Sequence, residues 1–229
     1  DARKLLNVLE LVVQAEEGNE IEITNDIVLN RLQKNLAMYD KQGEMHYDII
    51  SAFIKSIRGG DPDAAVYWLA RMLEGGEDIK FIARRMLILS AEDVGLANPN
   101  ALLLAQSTFD AVHKIGMPEA RIILSECAIY LATSPKSNSA YEAIDAAISV
   151  VQRDGNLPVP LHIRNAPTKL MKEIGYGKDY KYAHAYEGNF VEQDFLPKKI
   201  IKERFYKPQN NQTEIKILER LKRWWGERF

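Results

Sequence analysis

The residues able to do chemistry are few and scattered. The four histidines, His46, His113, His162 and His184, form no i,i+4 pair and no H-E-x-x-H, so zinc hydrolysis has no ligand set. The single cysteine, Cys127, excludes an internal disulfide framework and a cysteine zinc site, and suits a reducing compartment. No G-x-S-x-G elbow occurs. Gly177-Lys178 imitates the end of a phosphate-binding loop, but Asp179 stands where the loop needs Ser or Thr, and Lys172 where it needs its first glycine. No metal site and no catalytic residue is assigned.

What remains is charge. Residues 160–229 carry 15 Lys and Arg against 9 Asp and Glu, whereas the whole chain has a net charge of -2. A basic C-terminal part on an acidic body can meet a polyanion or dock on the body itself. Lys169, Lys172, Lys178, Lys181, Lys198, Lys199, Lys202 and Arg204 interleave with Tyr176, Tyr180, Tyr182, Phe205 and Tyr206. Lysines neutralise phosphate and aromatic faces stack on unpaired bases; equally, the aromatics can pin a poorly helical tail while the lysines face water. Arg3 reads either as a solvated first-turn arginine or as a forked phosphate donor. Arg84-Arg85 reads as a phosphate contact, a solvated face or an intersubunit ion pair. Ser90-Ala91-Glu92-Asp93-Val94-Gly95 reads as a cation or partner contact, or as a helix end closed by glycine.

The elements that position these residues are helical. Leu5, Leu6, Leu9, Val12 and Val13 share one face, and Thr24-Asn25-Asp26 caps a second short helix. Lys41-Gln42-Gly43-Glu44 is a polar break. Helices are predicted over 47–58, from Pro62 to Gly75, over 78–90, after Asn98-Pro99, after Gly116-Met117-Pro118 with Ile122, Ile123, Ile129 and Tyr130, and over 137–153. In the last of these Tyr141, Ile144, Ile148 and Val151 are expected to point inward, as are Ala65, Trp68, Leu69 and Met72 in the helix after Pro62. Leu157-Pro158-Val159-Pro160-Leu161 must be extended. Pro167 opens a short helix ending at Gly175, and a last helix covers 214–225. Short connections imply antiparallel neighbours. The fold class is therefore all-α, an antiparallel helical bundle or array with a less regular C-terminal extension.

The chain has 229 residues, 46% of them hydrophobic and 27% charged. Folding a chain this long buries about 70% of its surface, enough for a real core. No run of ~18 apolar residues occurs, so no membrane partner is expected. The opening Asp1-Ala2-Arg3-Lys4 lacks the layout of a signal peptide and reads as a cut into a longer protein.

Several stretches taken together resemble one family. They are Asp1-Ala2-Arg3-Lys4-Leu5-Leu6-Asn7, Tyr39-Asp40-Lys41, His46-Tyr47-Asp48 and Ser51-Ala52-Phe53-Ile54-Lys55-Ser56-Ile57-Arg58. Further on come Asp61-Pro62-Asp63-Ala64-Ala65 with Tyr67-Trp68, Ala83-Arg84-Arg85, Ser90-Ala91-Glu92-Asp93-Val94-Gly95, Pro135-Lys136-Ser137-Asn138, and residues 162–172 from His162 to Lys172. From Asp1 to about Tyr206 the chain resembles the C-terminal part of the replication-associated recombination protein A (MgsA) family. These are AAA+ ATPases of the clamp-loader clade, related to the Werner-helicase-interacting protein.

The resemblance implies that 1–42 is the remnant of an AAA+ lid, with Arg3 as the sensor 2 arginine that reaches nucleotide phosphate in the intact protein. It implies that 43–155 is a helical oligomerisation domain and 156–229 a basic, aromatic-rich extension packed on it. No cofactor is expected here and no ATPase activity, the P-loop being absent; ATP and magnesium belong to the intact enzyme. The implied partners are other copies of the chain as a tetramer, DNA and single-strand-binding protein, in the cytoplasm beside the nucleoid. Two other readings stay open: a monomeric helical scaffold for a protein partner, and an enzyme with a polar pocket around Glu92 and Asp93. Any of Phe53, Trp68 and Tyr130 found exposed would mark an interface.

Overall fold

A computed structural model describes residues 44–229, together with Val13, Ile23–Asp26 and Val28. Arg3 and most of the two N-terminal helices expected from the sequence lie outside the described residues; of the second, Asn25, Asp26 and Val28 are helical, and Val28 N donates to the Thr24 carbonyl at 3.0 Å. Within residues 44–229 eight α-helices follow in chain order: α1 Glu44–Gly59, α2 Pro62–Glu74, α3 Ile79–Leu89, α4 Asn100–Ile115, α5 Ala120–Thr133, α6 Ser139–Asp154, α7 Lys169–Ile174 and α8 Gln212–Trp225. No strand occurs among the described residues, so the all-α expectation holds.

Packing divides the chain into two units, one of 1–87 with 104–133, the other of 88–103 with 134–229. In the first, α1, α2 and α5 pack on one another. α2 starts where Asp61 supplies an N-cap: its carboxylate accepts from Ala64 N at 2.9 Å, with Pro62 at the first helical position. The core is Phe53 and Ile57 of α1, Ala65, Leu69 and Met72 of α2, and Leu124, Cys127 and Leu131 of α5. Ile82 and Met86 of α3 and Val112 of α4 complete it. Burial pushes the Cys127 thiol up to about 11, despite a hydrogen bond with Thr108, so it is inert at neutral pH. Phe53 is fully buried, and Trp68 and Tyr130 are half-buried, so none of them is an exposed interface residue.

The second unit is built round a turn. α3 runs on into a π-helical turn, Ser90–Val94, and then a short 3-10 turn, Gly95–Ala97. α6 packs on both turns, and α8 packs on the second. Gly95 is required there. Its φ is 48°, and a Cβ would lie 2.5 Å from the Ser137 carbonyl oxygen. Between α6 and α8 the chain is mostly irregular, with α7 capped by the Thr168 hydroxyl and closed by left-handed Gly175.

Candidate functional site

Three features stand out in the second unit: a polar joint, an outward apolar stripe and a set of cations. The joint brings together segments far apart in sequence. Ser137 N donates to the Asp93 carbonyl at 2.7 Å, and Asn98 Nδ2 to Ser134 Oγ at 3.2 Å. Lys136 Nζ donates to the Ser134 carbonyl at 2.6 Å, and burial lowers its pKa although Asp93 opposes this. The Ser90–Gly95 segment is thus a helix end folded onto 134–139. Its glycine does not end α3 in the left-handed cap expected from the sequence, but allows a close backbone approach.

Glu214 is the keystone of the joint and is fully buried. One carboxylate oxygen accepts from Ser137 Oγ at 2.5 Å and Asn211 Nδ2 at 2.6 Å, the other from Ser139 Oγ at 2.5 Å and Tyr206 OH at 3.1 Å. Burial pushes this carboxyl up, but the four hydrogen bonds outweigh it and hold it below its ordinary value. Burial and the same carboxylate push the Tyr206 hydroxyl well up. Asn211 also caps α8, its Oδ1 taking Glu214 N at 2.9 Å, and Thr213 Oγ1 donates to the Ala97 carbonyl at 2.9 Å. Nothing in the sequence reading singled out Glu214. The signal was Asn211 and Glu214 three apart, a variant of the capping box, which also moves the start of α8 to Gln212.

The stripe overturns an expectation. Tyr141, Ile144, Ile148 and Val151 do not point inward; they are 48%, 56%, 46% and 61% exposed. The arc that packs inward is small: Ser139 and Val150 are buried and Ala143 and Ala147 half-buried. Small side chains let α6 lie close against its turn, and the large ones are displaced outward. In α5, likewise, Ile122 and Ile129 are exposed while Ala120, Leu124, Cys127 and Leu131 are buried. The spacing of the α6 stripe, 3-4-3, is the narrow seam of a coiled coil rather than the broader face of a core helix.

The cations of the extension divide in two. Arg204 donates to the carbonyls of Arg228, Ile201 and Glu203. Lys199 Nζ lies 2.9 Å from Asp154, and Lys181 Nζ donates to the Glu192 carbonyl. Arg153, then Lys199, hold the Asp154 carboxyl down to about 2. Lys169, Lys172, Lys178, Lys198 and Lys202 are exposed. Of the aromatics, Tyr176 accepts from Arg164 and Tyr206 donates to Glu214, while Tyr180 and Tyr182 are exposed. Arg84 is exposed and Arg85 half-buried.

Residues 59–225 match the family model for the C-terminal part of MgsA AAA+ ATPases, and residues 1–58 that for an AAA C-terminal domain. The chain belongs to the MgsA AAA+ ATPase family. It is 43% identical over 224 residues to replication-associated recombination protein A of Coxiella burnetii, covering 96% of this chain and 51% of that one. With the protein of the same name from Escherichia coli K12 it shares 39% over 234 residues, 99% and 52% of the two chains. With the ATPase WRNIP1 of Dictyostelium discoideum it shares 41% over 225 residues, 90% and 26%. The chain thus spans about half the length of these bacterial relatives, and it corresponds to the C-terminal region of the MgsA family.

No group of three His, Cys, Asp or Glu among the described residues is arranged to hold a metal ion. Gly177-Lys178 lies in an exposed turn, without the helix that a phosphate-binding loop must open. Among the described residues, no helix is long and apolar enough to cross a membrane.

Proposed function

We propose that this chain is the assembly module of an ATPase acting in DNA replication and recombination. It joins copies of the ATPase through the outward stripe of α6. The observation that carries this reading is the inversion of α6. A helix with Ser139, Ala143, Ala147 and Val150 turned in and Tyr141, Ile144, Ile148 and Val151 turned out leaves its larger apolar area to water. Burying that area in a second copy recovers about 25 cal/mol per Å². The family likeness supports a tetramer, which needs at least one more interface than a single two-fold seam.

In the intact protein Arg3 serves as the sensor 2 arginine, reaching the phosphates of ATP bound with magnesium in an ATPase core beyond this chain. Residues 1–42 complete the lid, 43–155 form the oligomerisation domain and 156–229 the extension. The exposed lysines Lys169, Lys172, Lys178, Lys198 and Lys202 face DNA, and single-strand-binding protein is the partner at forks or gaps, in the cytoplasm. The names of the bacterial relatives, with recombination and replication in them, support this setting.

The test is Ile144→Asp with Ile148→Asp, examined by sedimentation. The wild-type chain is expected to assemble and the variant to sediment as a monomer with an unchanged helical circular dichroism spectrum. A variant that assembles as the wild type does refutes the α6 seam.

A further inference from the structure

The extension lysines are not the densest run of cations in the second unit. α8 carries Lys216, Arg220, Lys222 and Arg223 within eight residues, all exposed, with Glu219 the one carboxylate among them. Other cations nearby are occupied: Arg153 and Lys199 hold Asp154, and Arg204 holds backbone carbonyls. Among the described residues no carboxylate lies within ion-pair distance of Lys216, Arg220, Lys222 or Arg223. Like charges at i and i+4, such as Lys216 and Arg220, destabilise a helix. Lys222 and Arg223, in the last turn of α8, suit the helix dipole, and the Arg220 guanidinium lies over the Trp224 ring; the charge of all four still goes uncompensated, and Asn211 and Glu214 anchor the helix at its other end.

We propose that the outward face of α8 is a contact for the phosphate backbone of a nucleic acid. Lys216, Arg220 and Arg223 advance about 6 Å and then about 4.5 Å along the helix, close enough for long side chains to reach successive phosphates. Guanidinium forks suit phosphate oxygens. Two other polyanions fit less well. An anionic lipid surface calls for a broad apolar arc turned outward, but of the apolar residues of α8 only Ile215 and Trp224 are exposed, on opposite flanks of the cations, while Ile217, Leu218, Leu221 and Trp225 are half-buried on the other side. An acidic protein calls for an aromatic or aliphatic anchor entering a pocket, but Trp224 already stacks on Phe190 at 5.5 Å, with the Arg220 guanidinium 5.6 Å from its ring. This site is separate from the α6 seam and from the lysines of 169–202.

The test uses the full 229-residue chain and a short fluorescein-labelled DNA, single-stranded and as duplex, read by anisotropy over a salt series. The variant Lys216→Gln, Arg220→Gln, Lys222→Gln, Arg223→Gln keeps good helix formers, and its circular dichroism and solution mass must match the wild type. Where they do not, the pair Arg220→Gln, Arg223→Gln is used instead. Affinity is expected to fall at least about tenfold at low salt, and the salt slope by about 0.7 to 0.9 for each phosphate no longer neutralised. Unchanged affinity and slope overturn the proposal. So does failure of the wild-type chain to bind either DNA, or competition by polyglutamate as strong as by unlabelled DNA.

Discussion

At the scale of single residues, Glu214 decides the most. Four donors converge on its carboxylate in a buried place, so Glu214→Ala leaves them without an acceptor and costs about 3 kcal/mol, measurable by denaturant unfolding. The acid side is predictable too. Its lowered carboxyl contributes stability that is fully present above the ordinary glutamate value near 4.3 and is withdrawn as pH falls through the lowered folded value. Acid titration followed by tryptophan fluorescence, with Trp224 and Trp225 on α8, should show that step in the wild type and not in Glu214→Gln. Asp154, also held low, titrates in both proteins, so the difference between the curves reports Glu214. Equal acid midpoints contradict the assignment.

At the scale of elements, the joint and α6 differ in how far sequence reveals them. The Asp61-Pro62 start of α2, the Leu157–Pro160 stretch and the Gly175 stop are local chemistry, legible because cap, proline and glycine act on their own neighbours, although Leu161, expected to be extended with that stretch, instead opens a 3-10 turn, Leu161–Ile163. Gly95 is legible as a helix end but not as a close approach, because the atom it makes room for, the Ser137 carbonyl, lies 42 positions along the chain. Gly95→Ala meets both that oxygen and a positive φ, and is expected to cost about 2 kcal/mol or more, read as a lowered midpoint in thermal unfolding; an unchanged midpoint contradicts it. The direction of α6 escapes the sequence for a different reason. Periodicity finds an apolar face but not its destination, and a face reserved for another copy has the same period as one reserved for the core. The small residues Ser139, Ala143 and Ala147 on the inner arc were the available hint.

At the scale of the whole molecule, family and fold class are legible because many ordered motifs agree, and because helical caps and periods repeat along the chain. The polar joint is not, since it depends on segments 90–98, 134–139 and 206–214 meeting in space. Assembly is the property on which the proposed function rests. The light-scattering mass of the wild-type chain across a concentration series tests it most directly. A stable mass of four chains is expected, or dimers passing to four chains as concentration rises. A mass of one chain at every concentration would contradict it.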